Sequence, residues 1–494
     1  MPGLHSILVL SAGTLMAIGL YAPWLYPATI LGIGWYVFLL ARAPSFGYAA
    51  WYGLLGWLAK ALGAIAWFWY TYPLIWLETI AALTQISIIA TYWLTAALWL
   101  ALAGSVLGIA VKFLARFRSW LIIVVCLPVV WVGVEVLSSY VFSVFTQGEQ
   151  SGPNIFFSFG YVGYALAEHA TLFFLATLGG VYGLTWGIVF CTLLLSWHVT
   201  TCRRHKRYLS LGVVMTLLIV TSVWYPSSVL PTPPRESDLA IAVVETRFPA
   251  GSIDNAALRY HHTMVALEAV ATHQPTHILL PEDHRFFSLS PDQLHTRDTL
   301  QQLFPQTYLL DSTSIETERG LTLRSVIYDT ATDTFTYVDK QYLVPQGEYT
   351  PRLYRAGLAL VGQADLIDQI MRTAAYVPGP IVNQTHLSPT IPSVLFCFES
   401  VSPLGVRTIV GEREELPPFV FHPISHTWFH QPTILWHKLD TMLRVQATWN
   451  GIPIVSAANN ARSAIYAADG TINNVADLKP MYTSPTIAVY LFSL

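Results

Sequence analysis

Long apolar runs separated by short polar links occupy most of the first 230 residues. A membrane-spanning helix needs about 20 mainly apolar residues, and this part of the chain predicts seven such segments. Their approximate ranges are 5–21, 24–41, 47–70, 79–111, 119–141, 169–198 and 208–226. The first run is expected to be a span and not a cleaved signal peptide, because no A-x-A-like cleavage motif preceded by a basic region accompanies it.

The pattern changes after residue 238, where short apolar runs alternate with helical stretches. Strands are predicted at 239–246, 277–281, 323–329, 335–340, 393–398, 419–424, 452–458, 462–467 and 486–492. Helical patterns cover 253–272 and 433–448. Strands interleaved with helices are typical of a layered α/β domain.

Composition divides the chain at the same place. The chain is 54% hydrophobic and only 11% charged, whereas soluble domains carry about 25% charged residues, and no Asp precedes Asp238. We therefore predict an α-helical polytopic membrane bundle over 1–228, a Pro-rich linker over 229–237 and a globular α/β domain over 238–494. A net charge of −3 without a basic patch argues against nucleic-acid binding.

Basic residues predict the orientation of the bundle. They follow the second, fourth and sixth spans, at Arg42, Lys112, Arg116, Arg118, Arg203, Arg204, Lys206 and Arg207, while 71–78 and 142–168 contain no Lys or Arg. Because short cytoplasmic loops are enriched in basic residues, an odd number of spans places the globular domain outside the cytoplasm. A missed span would place it inside.

Two charged residues, Lys60 and Glu135, fall inside predicted spans. Charges at membrane depth are costly and usually face a cavity or a partner. Glu135 could line a cavity for a lipid headgroup or brace neighbouring helices, and bracing is at least as compatible with the pattern.

The stretch Ser393-Val-Leu-Phe-Cys397-Phe-Glu399-Ser-Val-Ser-Pro403 begins as an apolar run and ends at a polar break. It predicts a buried strand that delivers Cys397 to a sheet edge, with Glu399 on the same face because residues two apart in a strand share a face. A lone Cys in such a run is most often a small core residue. Cys397 is also the single cysteine after residue 238, so this domain cannot form an internal disulfide.

Two other polar residues end apolar runs in the same way. Glu282 ends Ile-Leu-Leu-Pro-Glu, and Lys340 ends Phe-Thr-Tyr-Val-Asp-Lys, with Glu348 eight residues later. A carboxylate can take the proton of a thiol as general base. A lysine lowers a thiol pKa and stabilises an oxyanion, and a second acid can orient that lysine. Together with Cys397, these residues predict a thiol catalyst.

The order Glu, Lys, Cys at strand ends resembles the nitrilase superfamily. The segment Lys340-Gln-Tyr-Leu-Val-Pro-Gln-Gly-Glu348-Tyr-Thr-Pro351 is similar to the K-x-x-L-V-P-F-G-E-Y-x-P segment of apolipoprotein N-acyltransferases. Phe396-Cys397-Phe398-Glu399 resembles the family's I-C-Y-E.

Other segments of this chain, in both the predicted membrane bundle and the predicted α/β domain, also resemble segments of the family. Thr427-Trp428-Phe429 is similar to the family's D-A-W-F, and Trp131 with Glu135 repeats a spacing of its membrane half. The base motif departs from the family, because Asp283 stands where the family has Thr. The resemblance covers nearly the whole chain.

The resemblance implies a nitrilase-like αββα sandwich on the membrane bundle, at the extracytoplasmic side of a bacterial inner membrane. Glu282, Lys340 and Cys397 would be catalytic, and Glu348, Glu399 and Phe398 would support them. Substrate positioning would fall to Trp428, Phe429 and Glu135.

The implied reaction moves an acyl chain from a phospholipid, through a Cys397 thioester, to the α-amine of the lipidated N-terminal Cys of an apolipoprotein. It needs no metal or organic cofactor, and the protein is expected to be a monomer. The alternative is a membrane-tethered nitrilase-like amidase or hydrolase that uses the same three residues and water as acceptor. A non-catalytic binding protein with a relic site is a third possibility.

Overall fold

A computed structural model describes residues 2–75, 80–117, 119–148, 154, 156–169, 171–202, 239–249, 256–360, 362, 376–380, 384–411, 413–430 and 432–494. The chain forms two compact units. One consists of Met1–Phe145, Gly152–Pro231 and Pro432–Val445, and the other of Thr146–Ser151, Thr232–Gln431 and Gln446–Leu494. The predicted seventh span and the predicted linker lie outside the described residues.

The first unit contains long apolar helices. They are α1 (Pro2–Ile18), α2 (Tyr26–Ala41), α3 (Phe46–Ala64), α4 (Ala82–Leu114), α5 (Trp120–Phe145) and α6 (Leu175–Cys202). Four helical segments of the described chain are long and apolar enough to cross a membrane, at Phe46–Thr71, Ala82–Phe117, Leu121–Phe145 and Leu172–Trp197. Helices α1 and α2 are shorter but also apolar. Six of the predicted spans thus correspond to helices, and the chain is a membrane protein.

Small residues let the helices of this unit pack closely. A Cβ atom added at Gly53 of α3 or at Gly108 of α4 would overlap the backbone of the facing helix. Membrane helices use such positions for van der Waals contact because lipid offers no hydrophobic driving force between them. Gly180 has φ +55 and, with Gly179, breaks the regular path of α6.

A buried ion pair and the hydrogen bonds around it join four segments of the bundle. Lys60 Nζ lies 3.4 Å from Glu135 Oε1. The same carboxylate accepts hydrogen bonds from Trp131 Nε1 at 3.4 Å, the Val162 amide at 2.9 Å and the Thr185 hydroxyl at 2.9 Å. A buried charge is tolerated when its partners satisfy it in this way. The contacts of Glu135 are therefore those of a helix brace, one of the two roles considered above.

The second unit is an α/β domain. Its strands are β1 (Ala240–Thr246), β2 (His277–Leu279), β3 (Tyr308–Thr317), β4 (Gly320–Asp329), β5 (Thr334–Asp339), β6 (Ser393–Val394), β7 (Val420–Ser425), β8 (Ile454–Asn459), β9 (Ala464–Tyr466), β10 (Ile472–Asn474), β11 (Tyr482–Thr483) and β12 (Ile487–Ser493). Further helices of the chain are α7 (Ala256–Val270), α8 (Phe286–Leu289), α9 (Gln293–Leu303), α10 (Arg352–Leu360), α11 (Gly405–Val410) and α12 (Thr433–Asn450).

The strands form one continuous network whose two halves share an apolar core. The main path is β10-β9-β8-β1-β2-β3-β4-β5, with β6 and β7 joined through β8, and β11 and β12 joined through β1. Leu279 and Ile327 from one half pack in the same cluster as Phe421 and Val455 from the other. On the opposite face of the first half, Leu267 of α7 belongs to a second cluster. The predicted fold class, a helical membrane bundle with an αββα-type sandwich domain, is confirmed.

The strand pattern differs from the prediction at the observed strands β3, β10 and β11, which were not predicted, and at the predicted strand 393–398. Strand β3 was absent from the predicted set because its run, Tyr-Leu-Leu-Asp-Ser-Thr-Ser-Ile, is interrupted by polar residues. In the folded domain this strand pairs with β4, and the polar residues Asp311, Ser312 and Thr313 are buried. The predicted strand at 393–398 is wrong in its extent. Strand β6 ends at Val394, and a 3-10 helix begins at Cys397.

Candidate active site

Three strands of the second unit end at the same edge of the network. Strands β2, β5 and β6 run in the same direction, as follows from the parallel and antiparallel pairings that link them. Glu282 follows β2, Lys340 follows β5 directly, and Cys397 follows β6. Because the carboxyl ends of parallel strands meet at one edge, the fold brings together three residues that are far apart in sequence.

Lys340 lies between two carboxylates. Its Nζ is 2.9 Å from Glu282 Oε1 and 2.6 Å from Glu348 Oε1, and the lysine side chain is fully buried. Glu348 is held by its own turn, where Oε2 accepts a 2.8 Å hydrogen bond from the Val344 amide. Burial alone would lower the pKa of Lys340, but the two carboxylates outweigh it and raise that pKa. Lys340 is therefore a permanent cation.

Glu282 and the Cys397 thiol respond to the same surroundings. Burial raises the pKa of Glu282 to about 7, with Lys340 opposing the shift and the charge of Glu348 adding to it. Burial also raises the pKa of the Cys397 thiol, which the charge of Glu282 increases further and that of Lys340 reduces. The residue itself is partly exposed. At neutral pH the Cys397 thiol is therefore protonated, and the Glu282 carboxyl near it gains or loses its proton close to pH 7.

Glu399 fixes the turn that carries Cys397. Its Oε2 accepts a 2.9 Å hydrogen bond from the Phe396 amide, and its Oε1 accepts from the amides of Gln341 at 2.6 Å and Tyr342 at 3.3 Å. These bonds tie the segment after β5 to the turn after β6. The prediction that Glu399 shares a strand face with Cys397 is wrong, because the backbone is a 3-10 helix at this point and Glu399 is buried.

The turn after β2 shapes the position of Glu282. Asp283 has φ +55 and Arg285 has φ +64, both in the left-handed region. The Asp283 amide donates a 2.7 Å hydrogen bond to the Ser312 hydroxyl, and its carboxylate pairs with Arg285 at 2.6 and 2.8 Å. Asp283 is thus anchored where the resembling family has Thr.

His422 contacts the Cys397 turn and was not among the predicted site residues. Its Nδ1 lies 2.8 Å from Ser456 Oγ, and its Nε2 lies 3.5 Å from the Cys397 carbonyl oxygen, which also accepts a hydrogen bond from the Ser400 hydroxyl at 2.6 Å. Burial lowers the pKa of His422 to about 4, so the ring is neutral at pH 7. In the sequence, the signal that could have identified His422 as a site residue is its position inside the otherwise apolar run of β7.

The remaining predicted site residues lie near the same strand ends or in the other unit. Phe398 is partly buried beside Cys397. Trp428 and Phe429 follow β7, with Trp428 36% exposed and the Phe429 ring packed edge-on against His426 at 5.8 Å. Glu135 belongs to the helix brace of the first unit. Within the described ranges, no group of three or more His, Cys, Asp or Glu could hold a metal ion.

Comparison with known proteins adds one relative in sequence. No protein-family model matches the chain. A curated apolipoprotein N-acyltransferase from Rickettsia prowazekii is 21% identical over 496 residues, which cover 94% of this chain and 90% of that protein. The resemblance found in the motifs is thereby confirmed.

Comparison with solved structures finds matches that cover about half of this chain. A mutant of the Nesterenkonia AN1 amidase from the nitrilase superfamily is 16% identical, with 53% of this chain and 92% of that chain covered and a TM-score of 0.34. The NitFhit protein of C. elegans is 12% identical, with coverages of 52% and 60% and a TM-score of 0.34.

Proposed function

We propose that this divergent relative of an apolipoprotein N-acyltransferase is itself a membrane acyltransferase. It would move a fatty acyl chain from a phospholipid to the α-amine of the lipidated N-terminal Cys of an apolipoprotein. The observation that carries the proposal is the buried cation of Lys340 between Glu282 and Glu348, with the Cys397 thiol under the influence of all three charges. A site of this kind supports acyl transfer because it supplies a nucleophile, a base and a charge for an oxyanion.

In the first half-reaction, the Glu282 carboxylate accepts the proton of the Cys397 thiol as sulfur attacks the ester carbonyl carbon of the phospholipid. Lys340 stabilises the negative charge that forms on the carbonyl oxygen. Collapse of this intermediate breaks the carbon–oxygen ester bond. The lysophospholipid alkoxide leaves with the proton from Glu282, and the acyl chain remains on Cys397 as a thioester.

In the second half-reaction, the acceptor amine attacks the thioester carbonyl carbon and gives a proton to Glu282. Collapse breaks the carbon–sulfur bond, and the thiolate recovers a proton from Glu282. The product is an amide, and the enzyme returns to its starting state. Glu348 orients Lys340, while Glu399 fixes the turn of Cys397, as their hydrogen bonds support.

The setting of this site follows from the same proposal. The protein would be a monomer in the bacterial inner membrane, with 238–494 as an extracytoplasmic catalytic domain behind the linker 229–237. Phe398, Trp428 and Phe429 would position the substrates near the nucleophile. Glu135 would contribute to substrate positioning only through the shape of the bundle that it braces.

Intact-mass measurement tests the acyl-enzyme. Full-length protein is incubated with phospholipid and weighed before and after hydroxylamine treatment, beside Cys397→Ala and the control Cys191→Ala, which alters a free cysteine of α6. We expect one hydroxylamine-labile acyl adduct in the wild type and in Cys191→Ala, and none in Cys397→Ala. Folded wild-type protein that never acquires an adduct would refute the thioester route.

Product analysis separates the acyltransferase from the hydrolase alternative. The acyl-enzyme is mixed with a synthetic diacylated lipopeptide that has a free α-amine, and the products are separated by mass. An N-acylated peptide supports the acyltransferase. Free fatty acid as the sole product would assign water as the acceptor and overturn the proposed acceptor.

A further inference from the structure

A second polar site lies in the first unit. It is a cleft of about 360 Å³ when the solvent space at its mouth is counted. Its wall includes Leu20 from the turn after α1, Phe159 and Glu168 from the segment before α6, and His437 and Lys438 from the first turns of α12. None of the residues of the candidate active site lines it. We call it the Lys438 pocket.

Lys438 carries the argument for a ligand. The residue is only 4% exposed, yet its Nζ has no hydrogen-bond partner in the described part of the chain. The ammonium lies over the face of the Tyr21 ring, whose centroid is 5.3 Å away. A buried cation without a hydrogen bond costs several kcal/mol in general. Burial accordingly lowers the pKa of Lys438 to about 7.

The other polar groups of the pocket are already occupied. Thr441 donates its hydroxyl to the His437 carbonyl at 2.9 Å. The Tyr164 hydroxyl lies 2.9 Å from Ser158 Oγ. Glu168 Oε1 lies 3.8 Å from His437 Nδ1, so this carboxylate faces the histidine. Among the described residues that line the pocket, Lys438 Nζ is the buried side-chain donor without a hydrogen bond, and a buried cation of this kind favours an anionic ligand.

We propose that the Lys438 pocket binds the phosphate of a phosphodiester, with Lys438 as its charge-assisted donor. Phosphate oxygens are strong acceptors for a point-like ammonium. The Glu168 carboxylate in the same wall repels any anion, and it repels a dianion more than a monoanion. The pocket therefore favours the single charge of a phosphodiester over the higher charge of free phosphate.

The location of the pocket points to a lipid as the source of the phosphate. Helix α1 ends at Ile18 and α2 begins at Tyr26, so the turn that lines the pocket lies at one end of the bundle. Span ends lie at the level of the lipid headgroups. Leu20 and Phe159 add apolar surface beside the lysine. The lipid source rests on the proposed function, in which phospholipid is the acyl donor, whereas the phosphate site does not depend on it.

Binding is tested in full-length protein that carries Cys397→Ala, so that no lipid is consumed. The probes are dihexanoylphosphatidylglycerol, dihexanoylglycerol, which lacks the phosphate, and inorganic phosphate, each titrated by calorimetry in detergent. We expect Lys438→Met to weaken phospholipid binding about tenfold or more, the usual effect of losing a charged hydrogen bond. Lys438→Arg should stay within threefold of the parent, and dihexanoylglycerol should bind weakly to all of them.

One further variant serves as a control and another as a second test. Lys112→Met removes a lysine that donates to the Ala41 carbonyl at the other end of the bundle, and it should leave phospholipid binding unchanged. Glu168→Gln should tighten phospholipid binding, because it removes the repelling charge. This variant tests the proposal independently if Lys438→Met does not fold.

The outcomes separate the two sources and the two proposals. Inorganic phosphate that binds as tightly as the phospholipid, and depends on Lys438, would keep the phosphate site and overturn the lipid source. Phospholipid binding that is unchanged in both Lys438→Met and Glu168→Gln would overturn the site. Loss of the Cys397 adduct with intact Lys438-dependent binding would refute the acyl-enzyme alone, since binding is measured without chemistry.

Discussion

Substitution of Glu399 by Gln is a stringent test of how the Cys397 turn is held. The Glu399 carboxylate has two acceptor oxygens and receives three backbone amides, from Phe396, Gln341 and Tyr342. A glutamine amide has one acceptor oxygen, and its nitrogen is a donor. In either orientation of the Gln side chain, at least one buried N–H would face another donor. Glu399→Gln therefore preserves shape and volume while it breaks the network.

The size of the effect follows from the better of the two orientations. If the Gln oxygen keeps Gln341 and Tyr342, the Phe396 amide loses its acceptor. A buried donor without a partner costs about 1–3 kcal/mol. With a cost of about 2 kcal/mol, local opening of the turn becomes about 30-fold more frequent, since 1.4 kcal/mol corresponds to a factor of ten.

Hydrogen exchange followed by mass spectrometry measures this opening. We expect the peptide that contains Phe396 to exchange about 30-fold faster in Glu399→Gln, and the rate of Cys397 acylation to fall because the nucleophile is less fixed. Glu318→Gln, at an exposed position in the turn between β3 and β4, is the matched control and should change neither quantity.

Exchange at the Phe396 peptide that stays within threefold of the wild type would refute the reasoning. It would mean that water or another group replaces the carboxylate without cost. Faster exchange with an unchanged acylation rate would refute only the link between the fixed turn and the chemistry.

Three further predictions concern the charges. The rate of single-turnover acylation should rise as the pH passes through about 7, because Glu282 then ionises. Glu348→Gln should move this rise to lower pH, because the Glu348 charge raises the pKa of Glu282. A rise at an unchanged pH would contradict the effect of Glu348 on Glu282. Lys60→Met should lower the free energy of unfolding in detergent by about 3–5 kcal/mol, because it leaves the buried Glu135 carboxylate without its cation. The double variant with Glu135→Gln should recover much of this loss. The destabilisation caused by His422→Asn should become smaller as the pH falls from 7.5 to 5. Burial lowers the pKa of His422 in the folded wild type, so below about pH 6.5 the unfolded chain binds a proton that the folded protein does not, and the wild type loses stability. A difference in melting temperature that stays constant with pH would show that this histidine is not kept neutral.

Much of the architecture could be predicted from local pattern alone. Six apolar runs became helices α1 to α6 because, in a membrane, a helix satisfies the backbone N–H and C=O groups within its own segment. Strands β1, β2, β4, β5, β7, β8, β9 and β12 were predicted near their observed positions, since a short apolar run bounded by polar residues is a local signal. The polar runs of β3, β10 and β11 gave no such signal.

The candidate site was predicted as residue types and not as contacts. That Glu282, Lys340 and Cys397 follow strands is visible in the sequence, and the similar motif indicated Glu348. The sequence could not determine that Lys340 would lie between the two carboxylates, because Glu282 and Lys340 are 58 residues apart. It also placed Glu399 on a strand, whereas the turn at Cys397 depends on amides supplied by the segment after β5.

The sequence by itself determined which segments are apolar, which residues could react and which family they resemble, because these are properties of single residues and their neighbours. Only the tertiary structure decided which charges are satisfied. It paired Lys60 with Glu135 across 75 residues and gave Lys340 two carboxylates. Within the described part of the chain, it left Lys438 buried without a hydrogen bond. The physical reason is that the cost of a buried charge depends on the groups that surround it, and those groups come from distant parts of the chain.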